Sequence, residues 1–118
     1  MNHKDLLAYK LSYSFALSIY KVTHNFPDHE KFGIVSQLRR ASVSVSTNIA
    51  EGFARNSNKS LLNFLYISRG SLVELETLLL FARDLGYLSN EEHKNLEKQR
   101  FKAIQLLSGL IRYQKNAV

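Results

Sequence analysis

The sequence predicts an all-α protein, an antiparallel up-down-up-down four-helix bundle, and three observations carry that prediction. Turn residues are scarce: five Gly and one Pro in 118 residues allow long uninterrupted elements but not the many turns of a sandwich or barrel. Polar breaks fall at three places, leaving pieces of about 4–25, 30–54, 58–85 and 90–115, each long enough to cross a small domain. Within each piece the apolar residues recur at helical spacing, and the short links between pieces make sequence neighbours antiparallel. With 45% hydrophobic and 22% charged residues, the chain reads as one globular domain over 1–118, not as a disordered segment. Zero Cys excludes disulfides, Cys-ligated zinc, iron–sulfur clusters and thiol catalysis.

The first helix ends at Phe26-Pro27-Asp28, where Pro removes a backbone donor and Asn25 and Asp28 serve as terminator and cap. Leu7, Leu11, Phe15, Ile19 and Val22 line one side of it, while Tyr9, Tyr13, Ala16, Leu17 and Tyr20 spread round the rest. The second helix puts Ile34, Val35, Leu38, Val45, Ile49 and Phe53 on one stripe at about 100° per residue. Its Ser42-Val43-Ser44-Val45-Ser46 run alternates as a strand does. Ile34, Leu38, Ala41, Val45 and Ile49 nevertheless keep helical spacing through it, and a lone strand would lack a partner, so helix prevails. Beside the stripe, Ser36, Val43, Ser46, Ala50 and Ala54 form a face of small residues, and Glu51 is the only charge between Ala41 and Ala54. The polar cluster Asn56-Ser57-Asn58 caps the third helix. There Phe64, Ile67, Leu75, Leu78, Ala82 and Leu85 make one apolar face and Leu62, Tyr66, Val73 and Leu80 another nearly opposite. Gly86, suited to the left-handed position past a helix end, and the capping box from Ser89 to Glu92 form the strongest boundary. The last helix directs Leu96, Ile104, Leu107 and Ile111 to the core.

Helices apolar on two faces belong at the centre of a large protein or between subunits. Four helices cannot bury all of these faces, so a homo-oligomer is expected. Glu74 falls between Ile67, Leu78 and Phe81 on the wheel and there requires a partner, Arg39 or Arg40, in a register-fixing ion pair. Arg69, Glu76 and Arg83 recur every seven residues as a solvated salt-bridge stripe, and Glu51 with Arg55 makes an i, i+4 pair in the favourable order. Net charge is +6, and the segment from Leu88 onward holds half of it. Lys94, Lys98 and Lys102 stack one turn apart there, with Arg112 and Lys115 farther along. On a monomer this is a solubilising face; repeated round an oligomer it becomes a positive surface able to hold a phosphate backbone.

The four His residues show no metal-ligand spacing, and no phosphate-binding Gly loop, catalytic triad or paired-carboxylate pattern occurs. Neither catalysis, a metal nor a cofactor is therefore expected. No apolar run approaches the length of a membrane span, and a cytoplasmic location is expected.

The stretch Phe26-Pro27…Glu30-x-Phe32-Gly33-Ile34…Gln37-x-Arg39-Arg40-Ala41…Asn48-Ile49-Ala50-Glu51-Gly52…Arg55-x-Ser57 resembles the four-helix-bundle family of 23S ribosomal RNA intervening-sequence proteins. The resemblance continues through Phe64-Leu65…Gly70-Ser71-Leu72-x-Glu74-Leu75-Glu76-Thr77 to Leu85-Gly86-Tyr87-Leu88. It departs from the usual pattern where Ser46 replaces a Pro, Tyr9 a Trp, and Ser60 stands near an acidic position. The resemblance implies a subunit assembled into a ring, typically a pentamer, with a central channel and a basic surface. Similar chains include the accessory variability determinant proteins of diversity-generating retroelements, which bind nucleic acid and associate with a reverse transcriptase. Arg39, Arg40, Asn48, Glu51, Gly52 and Arg55 match the central motif and are assigned to assembly first and nucleic-acid contact second.

The expected function is that of a non-enzymatic accessory protein contacting RNA or an RNA–DNA hybrid through Arg39, Arg40, Arg55, Lys94, Lys98, Lys102 and Arg112, with Asn48, Glu51, Gly52 and Glu74 structural. The alternative is a scaffold that docks a partner protein, such as a reverse transcriptase, without touching nucleic acid.

Overall fold

Four helices make up the computed structural model, which describes residues 2–117. They are α1 (Leu7–Thr23), α2 (Ile34–Phe53), α3 (Asn58–Asp84) and α4 (Asn90–Asn116). The chain begins later in α1 than its sequence suggests, because His3–Asp5 forms a 3-10 turn under Asn2 and Leu6 is extended. Likewise Asp28–Glu30 is a 3-10 turn and α2 starts only after Gly33. Asp28 therefore caps nothing in α2; the Glu30 carboxylate accepts the Ile34 N–H instead, at 3.4 Å. Ser57 caps α3 through the Ser60 N–H. At the other end of α3, Gly86 takes φ +82°, and the Tyr87 and Leu88 N–H groups fold back onto the Ala82 carbonyl. Ser89 and Glu92 form the reciprocal capping box of α4, so this boundary is as the sequence predicts.

Each helix packs on its two neighbours round the square, α4 closing on α1, while the backbones of the diagonal pairs α1/α3 and α2/α4 stay farther apart. The bundle is 47 Å long and about half as wide. Its core runs along Phe15, Ile19, Leu38, Val45, Ile49, Leu65, Leu72, Leu75, Leu79, Leu96 and Leu107. The Ser-Val alternation is helical, and Ser44 and the Val45 carbonyl serve the seam with α3. Ser68 Oγ donates to the Val45 carbonyl at 2.7 Å, and Ser71 Oγ donates to Ser44 Oγ at 3.0 Å. Gly52 lies where an added Cβ would come within 2.9 Å of Leu61 Cδ1 and 3.2 Å of the Leu61 carbonyl. Two backbones approach closely there because nothing stands between them.

Two assignments of helix faces require correction. In α3 the buried stripe is Leu61, Leu65, Ser68, Leu72, Leu75, Leu79 and Ala82, and it lies between the two faces that periodicity picks out. Ile67, Phe81 and Leu85 are exposed on one flank, and Tyr66, Val73 and Leu80 on the other. A helix so rich in Leu satisfies several stripes at once, and the one with small companions at Ser68 and Ser71 wins because it permits the closest packing. In α1 the buried stripe is Ala8, Ser12, Phe15, Ala16, Ile19 and Thr23, which leaves Leu7 exposed and Leu11 and Val22 at the edge. Again the small residues go inward. Exposed apolar side chains therefore collect on α1 as Tyr13, Leu17 and Tyr20, and on both flanks of α3.

Candidate nucleic-acid interface

The candidate residues fall into groups on separate sides of the bundle. The three arginines of the α2 region are each held by intramolecular partners. Arg39 donates through Nε to Thr23 Oγ1 at 2.9 Å and through Nη2 to the Tyr20 carbonyl at 3.4 Å. Its guanidinium also covers the Tyr20 ring at 4.6 Å, so a cation meets one carbonyl in the last turn of α1. Arg40 pairs with Glu74 at 3.1 Å. Arg55 pairs with Glu51 at 3.6 Å and covers the Phe64 ring. Glu74 does find the partner that its apolar surroundings require, but its side chain is 41% exposed, because those surroundings are themselves the exposed flank of α3. Asn48 bridges within α2, its amide donating to the Ser44 carbonyl at 2.8 Å and to Ser44 Oγ at 3.0 Å.

Glu76, Arg69 and Arg83 do not form a ladder. Arg69 lies over the Tyr66 ring, Arg83 pairs with Asp84, and Glu76 turns to Arg100 on α4. Arg100 is the charged residue that the sequence reading passes over. Only 6% exposed, it donates to Glu97 at 2.7 Å, to Glu76 at 3.2 Å and to the Leu72 carbonyl at 3.2 Å. The hydrogen bond to Glu97 raises its pKa further, while burial opposes this. Its spacing from Leu96, Ala103 and Leu107 is that of the core stripe, which was the available signal for a buried guanidinium.

Lys94, Lys98 and Lys102 remain. All three are exposed on the outer face of α4, and among the described residues none lies within salt-bridge distance of a carboxylate. Since α2 and α4 are diagonal, the fold does not unite these lysines with Arg39, Arg40 and Arg55. Arg112 stands apart as well, toward the C-terminal end of α4, where it shares an open groove with Tyr66, Arg69 and Lys115. The positive surface is thus two patches along α4. In the first, Lys98 and Lys102 stand between two depressions: one toward α1, floored by Leu11 and edged by Asn95 and Gln99, and one on the outer side against Phe101 and Gln105. Phe101 is 47% exposed. Among the described residues no group of His, Asp and Glu is placed to hold a metal ion, and no helix is long and apolar enough to cross a membrane.

Comparison with known proteins identifies what this architecture is similar to. The family model of the 23S rRNA-intervening sequence proteins matches residues 4–109. A crystal structure from Bacteroides thetaiotaomicron, described as a protein of unknown function from the S23 ribosomal protein family, superposes with a TM-score of 0.84 at 24% identity. The match covers 92% of this chain and 98% of that one, and it shows the shared fold. A search of the curated proteins returns no match.

Proposed function

We propose, because the chain belongs to the 23S rRNA-intervening sequence protein family, that it is a non-enzymatic, homo-oligomeric accessory protein that grips RNA or an RNA–DNA hybrid by its phosphates. One observation carries this reading: Lys94, Lys98 and Lys102 are stacked and exposed on the helix that holds half the net charge, and among the described residues none of them is paired with a carboxylate. Like charges one turn apart repel, and a polyanion offsets that repulsion while releasing its own counterions. Oligomerisation multiplies the effect, since weak patches repeated on one assembly bind with avidity.

The exposed apolar residues support a ring. Tyr13, Leu17 and Tyr20 lie on α1, Ile67, Val73, Leu80, Phe81 and Leu85 on α3, and these helices are diagonal across the bundle. Two different patches on opposite sides suit a head-to-tail contact, which closes into a ring when the rotation permits, as in the pentamer that the family resemblance implies.

The test is a salt titration of RNA binding. Affinity falls steeply between low and physiological salt, and replacing Lys94, Lys98 and Lys102 by Glu weakens binding while light scattering returns the same oligomeric mass; affinity indifferent to salt contradicts the reading. The exposed apolar flanks also favour a second role, as a scaffold for a partner protein such as a reverse transcriptase. Co-purification of that partner that survives nuclease treatment supports the scaffold, and its loss supports the nucleic-acid bridge.

A further inference from the structure

Phe101 is one of several exposed aromatic rings, and it differs from those rings that a cation already covers. Tyr20, Phe64 and Tyr66 each carry an arginine over one face, and Phe32 carries Lys31. Among the described residues neither a cation nor another ring stacks on Phe101, although lysines stand close by on the same helix. Together with Lys98, Lys102 and Gln105 it lines an open depression of about 570 Å³. The neighbouring depression of about 370 Å³ shares Lys98 and Lys102 and adds Leu11, Asn95 and Gln99. An apolar ring held in water is unfavourable, and a lysine pair beside it attracts anions. The chemistry that satisfies both is a phosphate chain bearing free aromatic faces. A duplex offers the phosphates but hides its base faces in the stack; a single strand offers both, and Gln105 with the amides of Asn95 and Gln99 can meet base edges without fixing a sequence.

We propose, resting on the nucleic-acid reading above, that this face of α4 takes single-stranded rather than duplex nucleic acid, with a base stacked on Phe101 and the adjoining phosphates on Lys98 and Lys102. The two lysines are one turn apart, about 6 Å along the axis, and hold the backbone on either side of the stacked base. Binding is tolerant of sequence, because every base has a π-face.

The experiment compares equilibrium binding of a labelled oligouridylate and a blunt RNA duplex of equal length to the full chain at one salt concentration. Phe101→Ala is expected to weaken the single strand about tenfold and the duplex by less than about twofold, with Phe101→Tyr restoring the loss. Lys98→Gln weakens both probes. A single strand carrying 2-aminopurine is quenched by the wild-type chain and not by Phe101→Ala. Equal losses on both probes, no loss on either, or a changed oligomeric mass in Phe101→Ala overturns the proposal, the last by making Phe101 a subunit contact. A wild-type chain that binds neither probe removes the nucleic-acid reading itself, whereas wild-type binding that ignores Phe101 removes only the stacking platform.

Discussion

The seam between α2 and α3 and the seam between α4 and α1 lie on opposite sides of the bundle and are built from different side chains. Across the first, Gly52 admits Leu61 and Phe64 almost to the backbone, and serines tie helix to helix directly. Across the second, the polar tie is a side-chain bond from Ser18 Oγ to Gln99 Oε1 at 3.1 Å. Leu11, Ser14 and Asn95 leave an open depression beside it. A seam closed by small residues has no room for a ligand; one spanned by long polar side chains does. The lysines occupy the edge of the open seam, whereas Gly52, Ser44 and Val45 of α2 lie on the closed one.

Enlarging a residue therefore has opposite consequences on the two sides. Gly52→Leu forces a side chain into Leu61 and into backbone, and is expected to cost about 3 kcal/mol, the upper part of the range for overpacking. Gly52→Ala costs less, because better helix propensity returns up to about 1 kcal/mol. Ser14→Leu, facing the open depression, stays within about 0.5 kcal/mol. Urea denaturation of the three variants measures the contrast, and equal costs at Gly52 and Ser14 would erase it.

Arg100 tests the seam between these extremes. Arg100→Ala removes the buried guanidinium that joins α4 to Glu76 and the Leu72 carbonyl. The expected loss is about 2 kcal/mol, below the figure for a fully buried pair, since Glu76 is 54% exposed and rehydrates. Arg100→Met, which keeps the volume, loses less. If both variants unfold at the wild-type denaturant concentration, Arg100 is not a clamp.

What was legible in the sequence follows the same division. Gly86 and the box from Ser89 to Glu92 act through their own backbone neighbours, so their roles are visible before folding. The Glu51–Arg55 pair is equally local. The buried stripe of α3 was not legible, because Leu occurs on every side and the choice is made by which flank offers small residues to α2. Arg100 is hidden for a related reason: in a helix this basic, one more cation reads as solvent-facing unless its register with Leu96 and Leu107 is followed. Phe101 lies off the core stripe of Leu96, Ile104, Leu107 and Ile111 and carries no sequence motif that would single it out. The candidate site therefore needed the fold, which separates Arg39, Arg40 and Arg55, each with its own partners, from three lysines that have no acidic partner among the described residues.

Both seams begin at the end of the bundle where Tyr87 joins two loops. Its ring lies 5.4 Å from that of Phe26, and its hydroxyl donates to Glu30 Oε2 at 2.8 Å. The bond to Glu30 raises the phenol above its ordinary value of 10.0, because a deprotonated Tyr87 would face a carboxylate. The folded chain thus holds a proton that the unfolded chain releases, and stability falls as pH rises past about 10 through the raised value. Thermal unfolding followed between neutral and strongly alkaline pH is expected to show a steeper decline for the wild-type chain than for Tyr87→Phe. Parallel declines would remove the latch as the cause.

The smallest effect has the reverse sign and bears most directly on the open seam. Lys94, Lys98 and Lys102 repel at i, i+4, and Lys94 also lies near the positive end of the α4 dipole. Lys98 sits between the other two, so Lys98→Gln relieves two repulsions at once and is expected to stabilise the chain by about 0.3–0.5 kcal/mol, most at low salt. The same substitution weakens RNA binding. A residue that lowers stability while raising affinity is retained for the ligand, whereas a residue of a solubilising face changes neither by much. A Lys98→Gln chain with unchanged melting temperature and unchanged RNA affinity would return the lysine stripe to that solubilising role.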